Sequence, residues 1–515
     1  MSTKKNIKEI MSKRYIQIGI LIVLISLVCL MGTYAWFTWA SPSNTSVTLS
    51  IGNLADVTFT SGPDINVSNL APVYNYTDGV STTFVMKNNS TTNNLNYEIK
   101  LDVTSISNEL KSESFKYTLL KDNKVVQTGN LKNAVNGKTL TLNTGSITKS
   151  TTSNYKLYFW IDGNIENSSS MMNKSLVGKI DVGEKTTYIN NLYNNSTKTP
   201  VTNNSITYQY DTTHNLMQDT AGNIRYYGAS PNNYVYFNCD SYPSTNCELW
   251  RIIGVFDGKI KLMRNEIIGK YSWDNKSTTT GAETANGKND WTTARLMKLL
   301  NPSTYYTTDA NDNGKGQSLY WNASSGTCYS GQNNGTTSCN FTSTGIKNAT
   351  TRNMIAETTW NLGGWNSSNI YSNAMYEKER GTTVYSGRST TWTGKIALAY
   401  PSDYGYATDL SKCSQTLLYY DSSTDSYACR SNDWMYSILG TSKEGWLLTP
   451  CSGDAHHAFY VGSTGYVDAV SSYVRIALGV APVLYLGSDQ DIVSGDGSQS
   501  NPYKLTGNWF NVIKK

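Results

Sequence analysis

The sequence predicts a β-rich protein of several domains: an N-terminal transmembrane or signal helix, a β-sandwich, and then a larger, disulfide-linked α+β domain. Three observations support this fold class. An almost unbroken apolar run lies at residues 16–31, period-two alternation follows between residues 45 and 182, and six locally paired cysteines lie after residue 238. With 515 residues, the chain is long enough for two or three domains, each with its own core.

The first 39 residues combine a basic tail, residues 1–14, with an apolar segment, residues 15–39. The tail holds five Lys or Arg and one Glu, and no cation follows closely after the apolar run. The positive-inside rule therefore leaves the tail in the cytoplasm and sends the chain after Trp39 across the membrane. About 20 apolar residues span a bilayer, so the segment suits either a retained anchor or a cleaved signal. We expect a single-pass membrane protein with an extracellular C-terminus, or a protein released to the cell surface.

The composition restricts the partners of the exported part. Charged residues make up only 16% of the chain, against about 25% in ordinary soluble proteins. Much of the net charge of +5 comes from the basic tail, so nucleic-acid binding has no electrostatic support. The 37 tyrosines suit exposed sheets and binding surfaces. An AT-rich genome would produce part of the same bias.

Residues 40–183 show the period-two pattern of half-buried strands and predict a β-sandwich. Every second residue is apolar from Tyr97 to Val103 and from Tyr155 to Ile161. Asp122-Asn123 is a predicted hairpin tip. Further strands are predicted at residues 46–51, 55–60, 82–87, 116–120, 124–128, 138–143 and 175–182. Seven to nine short strands with polar turns and no long helix are typical of a sandwich.

The junction before this domain carries a resemblance to a known class. The motif GTYAWF at residues 32–37, followed by a Thr/Ser strand and Gly52-Asn53-Leu54, resembles the signal peptides of the TasA/camelysin class of biofilm fibre proteins. The resemblance implies cleavage near Ala35 by a SipW-type signal peptidase. The size and position of the β-sandwich also resemble the TasA/camelysin domain, which implies self-assembly into a surface fibre as an alternative function.

The remainder of the chain is predicted to be a linker, an α+β domain and a short tail. Residues 184–219 are rich in Ser, Thr and Asn and predict the linker; the α+β domain spans residues 220–507 and the tail residues 508–515. Asp257-Gly258 predicts a hairpin tip. Helices are predicted at residues 291–300, 346–357, 369–380 and 432–439, and strands at 249–256, 259–264, 446–449, 458–461, 466–470 and 483–486.

Seven cysteines follow the membrane segment, and six of them fall into close pairs. The pairs are Cys239 with Cys247, Cys328 with Cys339, and Cys413 with Cys429. An exported chain meets oxidising conditions, and short loops close easily, so three disulfides are expected. The sequence alone does not fix their connectivity. Cys451 is left over, either as a free thiol or with an intermolecular partner.

A second resemblance covers about residues 223–505. The motifs NNYVYFN at 232–238, WRIIG at 250–254, PSDYGYA at 401–407, GWLLTP at 445–450 and PVLYL at 482–486 are similar, in this order, to those of a family of uncharacterised secreted domains from gut Firmicutes and relatives. The family implies no activity. Ala481 stands where the family has Arg, which leaves any role of that Arg in doubt.

The α+β domain also resembles the C-type lectin or formylglycine-enzyme-like fold in its short helices, paired cysteines and Trp-Leu-Leu strand. In those folds an irregular surface near the C-terminus recognises the ligand, which implies residues 452–477 here. The candidate ligand-binding residues are Asp454, His456, His457, Tyr460, Tyr473 and Arg475.

Cys451 offers a different interpretation of the same stretch. With His456 or His457 it would form a thiolate nucleophile, and with both histidines it would hold zinc. The spacing matches neither kind of site, so a surface loop remains the alternative.

Besides the zinc hypothesis, calcium is a candidate metal in the stretch before Tyr320. Asp309, Asn311 and Asn313, with Gly314, match the first half of a calcium loop, since their oxygens alternate and the glycine allows a sharp turn. Position 12 is Tyr320 instead of the bidentate Glu, so a solvated turn is the alternative. No other cofactor is expected.

Tryptophans of the α+β domain suit either sugar stacking or the core. Flat ring faces complement sugar rings, yet most tryptophans in folded domains are buried. We expect at least two thirds of this set to be core: Trp273, Trp291, Trp321, Trp360, Trp365 and Trp392.

These features predict an exported bacterial cell-surface protein that binds an extracellular glycan or protein as an adhesin, without catalysis. The first alternative is a biofilm or surface fibre subunit that assembles through the β-sandwich by donating the strand predicted at residues 46–51. The second is an extracellular hydrolase, which needs two carboxylates, or Cys451 with a histidine, in one cleft.

Overall fold

The computed structural model describes residues 46–49, 57–60, 65–67, 71–89, 95–165, 168–172, 174–275, 286–307, 315–331, 335–469, 471–487 and 490–506. The chain divides into two compact units, residues 1–185 and 186–515. The predicted tails at 1–14 and 508–515 and the apolar segment at 15–39 lie outside the described residues. Among the helices in the described ranges, none is long and apolar enough to cross a membrane.

The first unit consists of two antiparallel-dominated sheets. The seven-stranded sheet has the order β1-β2-β5-β10-β7-β8, with β4 beside β10, and the four-stranded sheet has the order β3-β11-β6-β9. The strands are β1 Ser46–Leu49, β2 Val57–Thr60, β3 Ile65–Val67, β4 Pro72–Val73, β5 Val80–Asn88, β6 Leu95–Ile106, β7 Phe115–Lys121, β8 Lys124–Asn130, β9 Lys138–Ile147, β10 Thr152–Asp162 and β11 Leu176–Glu184.

One core joins the two sheets of the first unit. Apolar side chains at alternate positions of β6, such as Ile99 and Leu101, are fully buried in the same cluster as Leu157 of β10. Tyr97 of one sheet meets Tyr155 of the other edge-to-face at 5.8 Å. The alternation thus places one face of each sheet inward, and the predicted β-sandwich is the observed arrangement. The predicted hairpin tip at Asp122-Asn123 has positive φ angles of 48° and 65°, as a two-residue hairpin turn requires.

The second unit is built on a nine-stranded sheet with the order β12-β13-β14-β15-β17-β18-β29-β24, in which β16 also pairs with β17. Its strands are β12 Thr199–Asn203, β13 Ile206–Asp211, β14 Leu216–Gln218, β15 Ile224–Tyr226, β16 Tyr234–Phe237, β17 Glu248–Phe256, β18 Lys259–Arg264, β24 Ile396–Ala397 and β29 Val483–Tyr485. The predicted β17–β18 hairpin turns at Asp257-Gly258, both with positive φ.

Small sheets and short helices surround that sheet. The remaining strands are β19 Lys270–Ser272, β20 Ser325–Cys328, β21 Thr337–Asn340, β22 Thr358–Asn361, β23 Thr391–Gly394, β25 Trp446–Pro450, β26 Ala458–Val461, β27 Val467–Asp468, β28 Ala477–Gly479, β30 Ile492–Ser494 and β31 Lys504–Leu505. The helices are α1 Tyr188–Asn195, α2 Arg295–Leu300, α3 Ala349–Met354, α4 Ser372–Glu379, α5 Pro401–Ala407, α6 Ala428–Ser431 and α7 Tyr436–Leu439.

The predicted linker at residues 184–219 is folded, and this corrects the sequence prediction. Helix α1 starts behind the cap of Thr187, whose hydroxyl accepts a hydrogen bond from the Asn190 N–H at 3.2 Å. Strands β12, β13 and β14 extend the nine-stranded sheet. Tyr208 and Tyr210 are buried against distant residues of the same unit. Tyrosines brought together over long sequence distances supply the core that the local Ser, Thr and Asn content conceals.

The predicted helices exist, but each is shorter than expected. Asp290 caps a 3-10 turn at Trp291–Thr293 before α2, and Asn348 caps α3. Helix α5, which follows Tyr400 and begins with Pro401, was not predicted. Its seven residues are all buried, so packing rather than intrinsic propensity supports it.

The three expected disulfides are present: Cys239–Cys247, Cys328–Cys339 and Cys413–Cys429. Cys451 is a free thiol with only 1% of its surface exposed. An intermolecular disulfide at Cys451 therefore requires the surrounding core to open.

Candidate functional site

The predicted binding surface lies beside the three-stranded sheet β25-β26-β27. The loop between β25 and β26 carries Asp454, His456 and His457. His457 forms an isolated antiparallel bridge with Tyr473 in the segment after β27. The two irregular segments are thus joined, and we call Asp454, His457, Tyr473 and Arg475 the 454–475 surface.

The side chains of the 454–475 surface touch one another in a row. Asp454 Oδ1 lies 2.6 Å from His457 Nδ1, and the His457 and Tyr473 rings stack with centroids 4.4 Å apart. The Arg475 guanidinium lies 5.5 Å from the Tyr473 ring centroid. Burial opposes ionisation of Asp454, but hydrogen bonds from the His456 N–H and the His457 ring outweigh it and lower the pKa of Asp454. The row ends in a carboxylate and a guanidinium with an aromatic stack between them.

Two of the six predicted residues stand apart from this row. His456 Nδ1 is 2.6 Å from the Gly287 carbonyl oxygen, so its ring lies against a neighbouring loop. Tyr460 is only 4% exposed and meets Trp446 edge-to-face at 6.2 Å. The structure does not place Tyr460 on this surface, because all four residues of β26 are buried.

Residues distant in sequence hold the loop in place, and no local sequence pattern indicates them. The buried Asn289 amide nitrogen lies within 2.9 Å of the carbonyl oxygens of Cys451, Asp454 and His457. Arg388 donates to Asn289 Oδ1 at 3.1 Å and to the Ala455 carbonyl at 3.3 Å. The side chains of Asn289 and Arg388 therefore fix the backbone that carries the 454–475 surface.

The Cys451 hypotheses receive no support from this geometry. Burial raises the pKa of the Cys451 thiol, which disfavours the thiolate that nucleophilic or zinc chemistry needs. The Nδ1 atoms of both neighbouring histidines already contact other groups. Within the described ranges, no group of three His, Cys, Asp or Glu side chains is placed to hold a metal ion. The predicted calcium residues Asp309, Asn311 and Asn313 lie outside those ranges.

The tryptophan prediction holds in the same unit. Most of the set are less than 9% exposed: Trp273, Trp291, Trp321, Trp360 and Trp392. Trp365 is partly exposed, and the Lys378 ammonium lies 3.9 Å from its ring centroid. These rings build the core of the unit.

A cluster of buried charges was missed by the sequence analysis. Asp403, the third residue of α5, pairs with Lys261 Nζ at 2.5 Å and with Arg225 Nη1 at 2.9 Å, and all three side chains are at most 1% exposed. Arg225 Nε also pairs with Asp219 at 2.6 Å. Burial lowers the pKa of Lys261 to about 8, although Asp403 opposes that shift. Four aromatic rings surround the ammonium of Lys261: Phe256, Trp360, Tyr400 and Tyr485.

A third carboxylate, Glu379, lies beside this cluster. Glu379 is fully buried and accepts hydrogen bonds from the Ser402 N–H at 2.8 Å and from Arg380 Nη1 at 2.9 Å. Burial raises the pKa of Glu379 to about 7, against the opposing charge of Arg380. The PSDYGYA motif thus supplies Ser402 and Asp403 to a network of buried ions.

Beside these charges lies a solvent-open pocket with a cavity volume of about 100 Å³, which we call the Arg380 pocket. Its walls come from the β17–β18 hairpin, β22, the end of α4 and β29. They include Lys259, Thr358, Tyr376, Arg380 and Tyr485. These side chains mix cations, hydroxyls and aromatic rings, a combination suited to binding a polar ligand.

No protein-family model and no curated protein matches the sequence. Among solved structures, the PA14 domain of the MpAFP antifreeze protein matches at 12% identity over 25% of this chain and 66% of that domain, with a TM-score of 0.13. The PA14 sugar-binding domain of an RTX adhesin matches at 12% identity over 25% of this chain and 70% of that chain, with a TM-score of 0.13. The EclA C-terminal domain, a sugar-binding protein, matches at 13% identity over 29% of this chain and 84% of that chain, with a TM-score of 0.12. Likenesses at these TM-scores carry no argument about fold or function.

Proposed function

We propose that this chain is an exported bacterial surface protein that binds an extracellular glycan or protein through its second unit. The observation that carries the proposal is the 454–475 surface. A stacked His457–Tyr473 pair lies between a carboxylate and a guanidinium, on backbone held by Asn289. Aromatic faces flanked by fixed polar groups are a common design for recognising sugars and protein side chains.

Rigidity supports binding at this surface. A ligand that meets an already ordered loop does not have to overcome the entropy of ordering it. Arg388 and Asn289 restrain the loop from below, and the three disulfides of the same unit stabilise it outside the cell. Tyr473 and Arg475 remain partly exposed for contact.

The test is binding of the full-length protein, in detergent, to glycan arrays and to immobilised extracellular-matrix proteins. Tyr473→Ala and Arg475→Ala should each weaken saturable binding about tenfold, as expected for contact residues. Tyr419→Ala is the matched control, because Tyr419 is a 48% exposed tyrosine outside the 454–475 surface. Equal binding by all three variants contradicts the assignment of this surface.

Export is a separate part of the proposal and has its own test. The basic tail and apolar segment support insertion with the remainder of the chain outside. Mass spectrometry of the mature N-terminus distinguishes a retained anchor from cleavage near Ala35. Protection of the second unit from protease added to intact cells contradicts export.

A fibre subunit is the second candidate, and one observation favours it. Strand β1 ends the order of the seven-stranded sheet and pairs with β2 of its own chain. It is therefore not a free strand, as donation would need, but its outer edge is a template for another chain. Concentration-dependent polymerisation after removal of the N-terminal segment would support assembly, and a protein that stays monomeric at high concentration would exclude it.

A further inference from the structure

The Arg380 pocket lies within the second unit and has chemistry distinct from the 454–475 surface. Lys259 and Asp257 come from the tip of the β17–β18 hairpin, Thr358 from β22, and Arg380 follows α4. Its cavity volume is about 100 Å³, several times the roughly 10–15 Å³ that one water molecule needs. The pocket therefore has room for a carboxylate and the neighbouring hydroxyl groups of one ligand residue.

The Arg380 guanidinium is fixed in position but only partly used. Its Cζ lies 3.4 Å from the Tyr376 ring centroid, so the planar group rests on an aromatic face. Nη1 donates to Glu379 at 2.9 Å and to the Tyr376 carbonyl at 3.3 Å. Among the described residues, no acceptor is hydrogen-bonded to Nε or Nη2, and the side chain is 22% exposed. Two donors in a fixed plane are therefore available, the geometry that binds a carboxylate.

Three further groups in the pocket wall can meet a ligand. Thr358 Oγ1 is buried and has no hydrogen-bond partner. In the described part of the chain, the Lys259 ammonium and the Tyr485 hydroxyl also have no hydrogen-bond partner, and both residues line the pocket. A buried hydroxyl without a partner is costly, and a ligand hydroxyl would satisfy it.

The two cations of the pocket are neutralised to different extents. Arg380 pairs with Glu379 at 2.9 Å, and Asp257 also lines the wall, so the wall carries no net excess of cations. Lys259 has no ion pair among the described residues, and Arg380 keeps two free donors, so hydrogen bonds rather than net charge would recognise an anion. The hydroxyl groups and aromatic rings beside them suit a sugar ring.

We propose that the Arg380 pocket binds a sugar that carries a carboxylate, a uronic acid or a related acidic saccharide. Arg380 Nε and Nη2 bind the carboxylate, with Lys259 as the second cation. Thr358 and Tyr485 bind ring hydroxyls. This site is independent of the 454–475 surface, and the chain would then hold two recognition sites in one unit.

The experiment is titration of the full-length protein in detergent with glucuronic acid, glucose and acetate, followed by tryptophan fluorescence and by ligand-observed NMR. Glucuronic acid should saturate, and glucose should bind about tenfold more weakly, since it lacks the charge-assisted hydrogen bonds. Acetate should also bind more weakly, because it leaves the hydroxyl partners unused. Equal binding of glucuronic acid and glucose overturns the role of the carboxylate, and equal binding of glucuronic acid and acetate overturns the role of the sugar.

Variants assign the site within the unit. Lys259→Ala leaves the buried ion pairs intact and should weaken glucuronic acid binding about tenfold. Arg380→Lys keeps the charge beside Glu379 but loses the planar fork, and should weaken it further. Lys412→Ala, at a 57% exposed lysine that lies outside the pocket, is the matched control. An unchanged affinity in Lys259→Ala and Arg380→Lys overturns the proposal.

One more variant separates this proposal from the proposed function. Arg475→Ala should retain glucuronic acid binding while losing the array ligand. Loss of both activities in Arg475→Ala overturns the independence of the two sites. If array binding fails in every form of the protein while the response to glucuronic acid persists, the 454–475 surface fails as a binding site and the Arg380 pocket stands.

Discussion

The two compact units solve the same problem of stability in different ways. The first unit is made of strands of up to 12 residues whose alternate side chains fill one core, and its sequence after the apolar segment contains no cysteine. The second unit has many strands of two to five residues, three disulfides and a buried ion cluster. Short strands contribute few backbone hydrogen bonds between strands, so side-chain contacts between distant residues must stabilise this unit. Replacing a charged side chain should therefore destabilise the second unit more than the first.

The largest difference is expected for Asp403→Asn. The variant leaves the ammonium of Lys261 and the guanidinium of Arg225 buried with one carboxylate fewer, and breaking a buried pair in this way costs about 3–5 kcal/mol. Scanning calorimetry of the full-length protein should show a lower melting temperature for the second unit alone.

The control for Asp403→Asn is Glu113→Gln in the first unit. Glu113 pairs with Lys132 at 2.7 Å on the surface, where both side chains are about half exposed or more. Its removal should leave both transitions unchanged, because solvent screens such pairs. A similar change in melting temperature in the two variants would show that the burial of the ion pair does not explain the difference between the units.

Two aspartates, one in each unit, should contribute pH dependences of stability with opposite signs. Burial raises the pKa of Asp433 from its ordinary value of 3.8 to about 8, so the folded state holds a proton that the unfolded state releases. The stability from this proton is complete below about pH 4 and is lost as the pH rises through about 8. Burial also opposes ionisation of Asp162 in the first unit, but hydrogen bonds from Lys116 and Asn164 lower its pKa, so its contribution is lost as the pH falls.

Asp433→Asn isolates the contribution of the second unit. An Asn side chain can keep the contacts to the Met435 N–H and the Thr408 hydroxyl, at 2.8 and 3.0 Å. The free energy of unfolding of the native protein should fall between pH 5 and pH 8 by on the order of 3 kcal/mol more than that of the variant. Denaturant titrations at the two pH values measure the difference. A native protein whose second unit gains stability over that range contradicts the assignment.

The sequence predicts much of the fold of the first unit and little of the fold of the second. Alternation from Tyr97 to Val103 predicts a strand and its buried face together, since neighbouring residues decide both. The burial of Lys261 depends on Asp403, 142 positions away, and no local pattern reports such a pairing. Contacts between residues far apart in sequence also explain why the sequence did not predict that residues 184–219 are folded.

The candidate site was predictable to a similar, partial extent. The sequence indicated residues 452–477, and the structure brings Asp454, His457, Tyr473 and Arg475 together there. It missed Asn289 and Arg388, which act on the loop from distant segments. The burial of Tyr460 was predictable, because the continuous apolar run of β26 is typical of a strand buried on both faces.

Asn289→Ala tests whether long-range side chains replace strand ladders in the second unit. The variant leaves the carbonyls of Cys451, Asp454 and His457 without their shared donor, at a cost of about 1–3 kcal/mol. Amide hydrogen exchange should accelerate in residues 451–457 while the first unit keeps its protection. Asn275→Ala, at another fully buried asparagine of the same unit, is the control, and acceleration confined to 451–457 in Asn289→Ala alone is the expected result.

The smallest effect on stability is expected at the edge of the first unit. Strand β8 ends the seven-stranded sheet, and its Val125 and Val126 are 51% and 42% exposed. Val125→Lys should change the free energy of unfolding by less than about 0.5 kcal/mol, because an exposed side chain loses few contacts.

A charged edge at β8, however, disfavours the addition of a strand from another chain. If the protein assembles through β8, sedimentation at rising concentration should show less association for Val125→Lys than for the native chain, at equal melting temperature. Val80→Lys, at a 40% exposed valine of β5, an interior strand of the same sheet, should leave association unchanged. Equal association of the native chain and both variants would remove β8 from the fibre hypothesis and leave β1 as the remaining edge of this sheet.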